Sequence, residues 1–299
     1  MVFGLAKQVF REILSKSVRT EAPDQHQHQY QQAVYLRDIF ESDAYRLATS
    51  PLTIALGRDI TGEIVVDDLA KMPHILIAGN TGSGISVAMN AMILSVFRKS
   101  GPEVVRFIMI DSEKGKLTVY EGIPHLLSPV IVDMKEAHKA LQWCVLEMNR
   151  RFQLMAALGV RHITVFNAKQ DAISNGSPIC DLTSQTLPSS PGSSDQIHVL
   201  EKMPFIVVII DELADLMEAA GRDAEEMLAK LAQKARATGI HLLLAIRRPS
   251  TDVLTGLIKV NIPTRMAFRV LSRVDSRIIL DDMGAEQLLG QGEMLYLLR

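Results

Sequence analysis

A glycine-rich loop at residues 79–86, Gly-Asn-Thr-Gly-Ser-Gly-Ile-Ser, constrains the fold of this chain more than any other feature. The apolar segment 74–78 before it has the character of a strand, and residues 87–97 after it have the character of a buried helix. Strand, glycine loop and helix in that order are typical of a phosphate-binding loop, whose glycines let backbone N–H groups approach phosphate oxygens. The loop therefore predicts an α/β fold built around a nucleotide site.

The loop departs from the phosphate-binding pattern at one position. The pattern G-x-x-x-x-G-K-[ST] has a lysine where this chain has Ile85, whereas Ser86 keeps the hydroxyl that reaches Mg²⁺. Because the ammonium that would contact the β- and γ-phosphates is missing, we expect the binding of ATP and Mg²⁺ to be weakened. The predicted nucleotide-binding residues are Gly79, Asn80, Thr81, Gly82, Ser83, Gly84, Ile85, Ser86 and Arg247, and the predicted metal ligands are Ser86 and Asp211.

A second motif supports the nucleotide site. The apolar segment 205–210 delivers Asp211 and then Glu212 at its carboxyl end. This order matches a Walker B element, in which the aspartate holds Mg²⁺ through water and the glutamate, a predicted catalytic residue, polarises the attacking water. The alternative is that Asp211 only caps the helix that follows, which is common in α/β folds. Together with the glycine loop, the motif favours a nucleoside-triphosphatase fold.

Strands and helices alternate along most of the chain, which predicts a mostly parallel sheet with helices on both faces. Periodicity and breaking residues set the expected boundaries. Besides the elements already given, we predict a hairpin at 54–57 and 62–66, strands at 104–110 and 241–246, and helices at 135–158, 213–220 and 224–237.

The composition changes twice along the chain and suggests domain boundaries. Residues 1–33 combine a basic amphipathic helical pattern over 2–14 with a glutamine-rich polar stretch over 20–32. The pattern predicts a helix that docks on a partner or packs on the domain, followed by a linker, and a helix lying on a membrane surface is the alternative. Residues 34–299 form the predicted nucleotide-binding domain. Serine, proline and glycine dominate residues 171–202, which predicts a disordered insertion within it.

Charge and cysteine content exclude some classes of protein. The net charge is −2 with a pI near 6.5, so any contact with nucleic acid must come from a local basic patch. Two cysteines do not make a disulfide framework and fit a reducing compartment. No apolar run is long enough to span a bilayer, and the first residues lack the pattern of a signal peptide. We expect a cytoplasmic protein.

Several segments outside the nucleotide motifs are more specific. They include LAKMPH at 69–74, YEGIPHLL at 120–127 and LAQKARA at 231–237, with further agreement at 255–259, 261–265 and 275–277. Through these segments, residues 34–297 resemble the motor domain of FtsK/SpoIIIE-type DNA translocases. The resemblance implies a RecA-like fold, a hexameric ring around double-stranded DNA, and ATP-driven movement of that DNA in chromosome segregation and cell division.

The resemblance also implies roles for basic side chains. In a ring motor the nucleotide lies between subunits, and an arginine of the neighbouring subunit stabilises charge on the γ-phosphate. Arg236 and Arg277 are the candidates, each with a surface ion pair as the alternative. Phosphate contacts in a DNA channel need charge but no sequence readout, and the candidates for them are Lys71, Arg265, Arg269 and Arg273.

This chain differs from the translocase pattern where the chemistry is expected. Besides Ile85, it has Ile246 and Arg247 where relatives have a threonine and the glutamine that senses the γ-phosphate, and Ile278 where they have a threonine. Arg247 follows a neighbouring strand, so it is a candidate to replace the missing lysine.

Three interpretations remain open. The first is a motor subunit, in a homo-oligomeric or mixed ring with active paralogues, that binds nucleotide and DNA with impaired hydrolysis. The second is a non-catalytic regulator or scaffold that associates with an active motor. The third is a decayed gene copy, favoured by the clustered changes to isoleucine.

Overall fold

The fold is built from ten strands and eight α-helices within the residues that the computed structural model describes, which are 17–18, 33–113, 115–174 and 201–298. The strands are β1 (Ser17–Val18), β2 (Val34–Tyr35), β3 (Thr53–Arg58), β4 (Ile64–Asp68), β5 (His74–Ala78), β6 (Val105–Ile110), β7 (Phe205–Ile210), β8 (Ile240–Ile246), β9 (Thr264–Phe268) and β10 (Met294–Leu297). The helices are α1 (Leu36–Glu41), α2 (Asp43–Arg46), α3 (Ile85–Lys99), α4 (Met134–Ala157), α5 (Ile163–Ser174), α6 (Leu213–Lys234), α7 (Gly256–Asn261) and α8 (Arg273–Leu280).

The central sheet has six strands in the order β10-β9-β5-β8-β7-β6. The five strands from β9 to β6 are parallel, and β10 joins β9 antiparallel at one edge. A separate antiparallel pair, β3 and β4, forms the predicted hairpin. The predicted mostly parallel sheet with helices on both faces is confirmed.

Both faces of the sheet are buried, which explains why its strands are continuous apolar runs. In β7, Val207 and Ile209 face a core shared with α3 and the β3–β4 hairpin. Val208 and Ile210 face the opposite core, which α4 and α6 cover. None of the helices among the described residues combines the length and the apolar character needed to cross a membrane.

Local sequence signals fix most helix ends. Asp133 caps α4 by accepting hydrogen bonds from the N–H groups of Lys135 and Glu136. The two helices expected at 213–220 and 224–237 are the two arms of α6, which kinks at Gly221 (φ 51°, ψ −129°), a conformation that favours glycine.

The main differences from the sequence-based expectations concern the region after α4. Helix α5 was not expected, and its last turn occupies the first residues of the segment predicted as an insertion at 171–202. Residues 175–200 lie outside the described residues, as do the predicted amphipathic helix at 2–14 and the polar linker at 20–32.

Two histidines lie side by side on β5 and β8, in the sheet interior. His74 accepts a hydrogen bond from the N–H of Leu242, and His241 Nδ1 lies 3.0 Å from the carbonyl oxygen of Pro73. Burial, followed by the charge of His241, lowers the pKa of His74 to about 3, and burial lowers that of His241 to about 4. Both rings are therefore neutral in the folded protein near neutral pH.

This pair predicts a loss of stability in mild acid. An unfolded histidine takes up a proton near pH 6.5, whereas the folded ones do so only near 3 and 4. The stabilising difference is complete above pH 6.5 and is lost as the pH falls toward 4. We expect the free energy of unfolding to fall by on the order of 2–4 kcal/mol between pH 7 and 5 through this pair.

Urea denaturation at a series of pH values checks this expectation. His241→Phe should reduce the dependence of the unfolding free energy on pH by about half. An unchanged slope in His241→Phe would show that another group dominates acid unfolding.

Candidate nucleotide site

The predicted site residues converge at the carboxyl edge of the sheet. Strand β5 leads into the glycine loop, its neighbour β8 ends before Arg247, and β7 ends before Asp211 and Glu212. Because these strands are parallel and adjacent, their carboxyl ends meet at one edge, which is where open α/β sheets bind ligands. The edge strand β6 adds Asp111, an acidic residue that was not among the predicted site residues.

The glycine loop has the backbone geometry of a phosphate cradle. Gly82 (φ 81°) and Gly84 (φ 120°) adopt conformations that disfavour other residues. A Cβ on Gly84 would lie 2.7 Å from Cα of Gly292, so only glycine fits there without a shift of the backbone. The loop is held in place by hydrogen bonds from Gly79 N to Ile246 O (3.1 Å) and from Gly292 N to Ser83 O (2.8 Å).

The substituted position, Ile85, is the first residue of α3 and contributes to the core instead of the cradle. Its side chain is 3 % exposed and belongs to the apolar cluster on the α3 side of the sheet. Ser86 follows it, half-buried, in the first turn. The N–H groups of this first turn have no partners within the helix, so they remain available to phosphate oxygens.

The Walker B aspartate is engaged by an arginine. Asp211 is fully buried, and its Oδ2 accepts a hydrogen bond from Nη2 of Arg247 at 2.5 Å. The other guanidinium arm binds the carboxylate of Glu113. Lys116 lies 2.8 Å from Glu113 and 3.6 Å from Asp211 Oδ2. These four residues, Asp211, Arg247, Glu113 and Lys116, close a cycle of ion pairs that we call the ion ring.

The loop after β6 holds the outer half of the ion ring in place. Asp111 Oδ2 accepts hydrogen bonds from the N–H groups of Gly115, Lys116 and Leu117 at 3.1, 2.9 and 2.8 Å. These bonds fold the chain back, so that Glu113 and Lys116 face Asp211. Sequence reasoning missed both residues, because nothing in the local pattern indicated how this loop folds.

Glu212 acts as a helix cap in the structure. Its Oε1 accepts a hydrogen bond from Ala214 N at 3.2 Å, and its Oε2 accepts one from the backbone N–H of Arg247 at 3.3 Å. The cap of α6 is therefore Glu212, and the alternative in which Asp211 caps this helix is wrong. Burial raises the pKa of Glu212 to about 7, which is near the value that suits a general base.

Burial also raises the pKa of Asp211 to about 7, and the carboxylates of Asp111 and Glu113 add to the rise. A buried carboxylate needs an adjacent cation to remain ionised. The Arg247 guanidinium, which is 8 % exposed, supplies that cation.

The described residues fit a nucleotide better than they fit Mg²⁺. The cradle backbone is intact, and four buried oxygens at the same edge lack hydrogen-bond partners among the described residues: Ser83 Oγ, Asp111 Oδ1, Ser112 Oγ and Asp211 Oδ1. A serine hydroxyl can donate to a phosphate oxygen, whereas the two carboxylate oxygens only accept and therefore need a water, a donor or a cation. Mg²⁺ needs near-octahedral oxygen coordination, whereas Asp211 Oδ2 is already bound to a guanidinium and has an ammonium nearby.

The remaining predicted residues are distributed around the domain. Arg236 is exposed and lies just before β8, at the sheet edge opposite the glycine loop. Arg277 is exposed on α8, with Nη2 3.5 Å from Sδ of Met283. Neither arginine is paired with the ion ring or the glycine loop of its own chain. Their predicted role at the nucleotide of a neighbouring subunit stays a prediction.

The prediction that Arg265 contributes to a DNA channel is wrong. Its guanidinium is buried and donates hydrogen bonds to Ile279 O (3.0 Å), Lys259 O (2.9 Å) and Asp281 Oδ2 (2.6 Å). It ties β9 to α7 and to the end of α8. The other candidates, Lys71, Arg269 and Arg273, are exposed.

Fold and site together define a P-loop NTPase, and comparison with known proteins identifies the family. The FtsK/SpoIIIE family profile matches residues 35–251. DNA translocase FtsK of Shewanella oneidensis is 52 % identical over 309 aligned residues, which cover 99 % of this chain and 33 % of that protein. DNA translocase FtsK of Vibrio vulnificus is 57 % identical over 267 residues, covering 89 % of this chain and 27 % of that protein. The chain belongs to the FtsK/SpoIIIE family.

This chain spans a third or less of the length of these two relatives. Among solved structures, the monomer form of the pCW3 conjugation coupling protein TcpA with ATPγS has a TM-score of 0.66 at 27 % identity, covering 86 % of this chain and 65 % of that one. The cytoplasmic domain of the Type VII secretion ATPase EccC from Thermomonospora curvata has a TM-score of 0.64 at 22 % identity, covering 84 % of this chain and 28 % of that one. These similarities support the P-loop ATPase fold.

The buried position of Arg265 predicts a structural role. Arg265→Leu should lower the free energy of unfolding by about 2–4 kcal/mol, because two carbonyl groups and Asp281 lose a charged donor. Arg273→Ala is the matched control, because that side chain is 73 % exposed and its ion pair with Glu286 spans 3.8 Å. It should cost less than about 0.5 kcal/mol. Urea denaturation measures both, and equal effects would contradict the assignment.

Proposed function

We propose that this chain is an FtsK-type DNA translocase motor domain that binds ATP weakly and hydrolyses little of it. The observation that carries the proposal is the absence of a lysine from the cradle: Ile85 points into the core, and the cation nearest to the Walker B aspartate is Arg247. The family membership supports the motor fold, and the substituted residues argue for reduced turnover.

Each site residue has a physical role in this proposal. The backbone N–H groups of Gly82 and of residues 84–86 hold the β- and γ-phosphates, and the Ser86 hydroxyl adds a polar contact. The predicted Mg²⁺ ligands are Ser86 and Asp211, and Asp211 could serve as one only if the metal displaced the Arg247 guanidinium from its carboxylate. Glu212, with its raised pKa, orients the attacking water and accepts its proton.

The lost lysine should affect hydrolysis more than binding. A charge-assisted hydrogen bond is worth roughly 1.5–3 kcal/mol, so its loss weakens the affinity for triphosphate by about tenfold to a hundredfold. A hydrogen-bond donor that stabilises charge developing in the transition state typically increases kcat by a factor of about 10²–10³, so the loss of the lysine removes an effect of that size. Binding can therefore persist at millimolar nucleotide while turnover falls close to the background.

The wider activity is inferred from relatives that are named DNA translocases. We propose that the chain contacts double-stranded DNA and assembles into a hexameric ring, alone or mixed with active paralogues, in the cytoplasm during chromosome segregation and cell division. In such a ring the exposed Arg236 or Arg277 would face the nucleotide of a neighbouring subunit.

A second candidate function is a non-catalytic regulator or scaffold that joins an active motor. The ion ring favours it, because Asp211 is already paired with the chain's own arginine. The third interpretation, a decayed gene copy, predicts an insoluble product. The retention of both Asp211 and Glu212 argues against it.

The weak turnover can be tested by restoring the cation. Ile85→Lys should tighten mant-ATP binding by about tenfold or more, and Ile85→Met, which has similar length and no charge, should not. Phosphate release by the unaltered chain should stay near the background, with or without duplex DNA. The Ile85→Lys/Arg247→Gln double variant should release phosphate about 10²-fold faster or more than the unaltered chain. Equal turnover in the unaltered chain and the double variant would overturn the proposal.

Binding to DNA separates the motor from the scaffold. We expect the chain to bind duplex DNA without sequence preference, with an affinity that falls steeply as salt rises, because phosphate contacts release counterions. Light scattering after size-exclusion chromatography with a short duplex should detect a DNA-bound ring. If neither a ring nor a complex with DNA forms, the scaffold interpretation is favoured.

A further inference from the structure

The ion ring contains two acids and two bases and is electrically neutral. Asp211 and Glu113 supply the negative charges, and Arg247 and Lys116 supply the positive ones. Its inner pair, Asp211 and Arg247, is buried, whereas Glu113 is 52 % exposed. The guanidinium of Arg247 places a positive charge directly beside Asp211.

Arg247 lies where the phosphate cradle and the Walker B strand meet. The residue before it, Ile246, accepts the hydrogen bond from Gly79 N that anchors the start of the loop (3.1 Å). Its own N–H donates to Glu212 on the other side (3.3 Å). The backbone therefore places Arg247 between the loop that would bind phosphate and the Walker B strand, and its guanidinium reaches from there to Asp211.

We propose that Arg247 takes the place of Mg²⁺ at Asp211, so that this chain binds nucleotide without a divalent cation. The inference rests on the proposed nucleotide binding and specifies the ligand as free ATP instead of its magnesium complex. The geometry supports it on two points: the guanidinium already pairs with Asp211 at 2.5 Å, and the residue before Arg247 accepts the hydrogen bond that anchors the start of the glycine loop.

A divalent cation at the same carboxylate would meet unfavourable surroundings. Mg²⁺ takes oxygen ligands in a near-octahedral shell and keeps several of its waters. Asp211 Oδ1 has no partner among the described residues and is the remaining acceptor, but Oδ2 of the same carboxylate is shared by a guanidinium and an ammonium. Both cations repel a metal ion placed at Oδ2.

The test is a mant-ATP titration in excess Mg²⁺ and again in EDTA. For the unaltered chain, we expect the two dissociation constants to agree within about twofold. In Arg247→Gln, which keeps the backbone contacts and removes the charge, Mg²⁺ should tighten binding by about tenfold or more, because Asp211 is then free to support the metal. The matched control is Arg248→Gln, since Arg248 is the exposed neighbour outside the ion ring, and it should behave as the unaltered chain.

A second readout keeps metal binding apart from nucleotide affinity. Electron paramagnetic resonance of Mn²⁺, titrated with mant-ATP and protein, should detect a protein-bound metal in Arg247→Gln but not in the unaltered chain. Circular dichroism and thermal unfolding check that the variant is folded.

The outcomes distinguish this inference from the proposed function. If the unaltered chain needs Mg²⁺ to bind mant-ATP, Arg247 does not replace the metal, while weak binding with little turnover still stands. If the unaltered chain binds no nucleotide in either buffer and Arg247→Gln binds it with Mg²⁺, the arginine blocks the site, which also overturns the inference. Brisk DNA-stimulated turnover with Mg²⁺ in the unaltered chain would overturn both.

Discussion

The parallel alignment of β5, β8 and β7 is the constraint on which the rest of the site depends. Their backbone hydrogen bonds bring three carboxyl ends to one sheet edge, so the glycine loop, Arg247 and Asp211 become neighbours despite their distance in sequence. Burial of both faces holds that register, because a slip of one residue would exchange the apolar side chains of the two cores.

At this edge, two substitutions that are far apart in the sequence both change where positive charge lies in the nucleotide site. Ile85 removes a cation from the cradle, and Arg247 brings one to the adjacent carboxylate. Compared with the phosphate-loop pattern, the positive charge therefore lies beside the Walker B aspartate instead of in the loop. A chain altered in this way can keep an attraction for phosphate, although the cation no longer sits where charge develops during transfer.

Much of the fold was predictable because its signals are local. The strands His74–Ala78 and Phe205–Ile210 were predicted with their observed boundaries, since continuous apolar runs between polar or glycine residues permit little else. The predicted helix at 135–158 and the predicted break between 220 and 224 also agree with α4 and with the kink of α6 at Gly221. Helix α5 was missed, because its amphipathic pattern is weak and serine-rich sequence follows it.

The sequence by itself determined the class of fold, the family motifs and the missing lysine, because each depends on residue type and spacing along the chain. Tertiary structure alone decided what the charged side chains do. Arg265 became a buried tie instead of a DNA contact, Glu212 became the helix cap, and Glu113 joined Lys116 in the ion ring. The physical reason is that the partner of a charged side chain is often far away in the sequence. Only the folded chain brings the two together, and the local pattern of residues does not indicate which ones will meet.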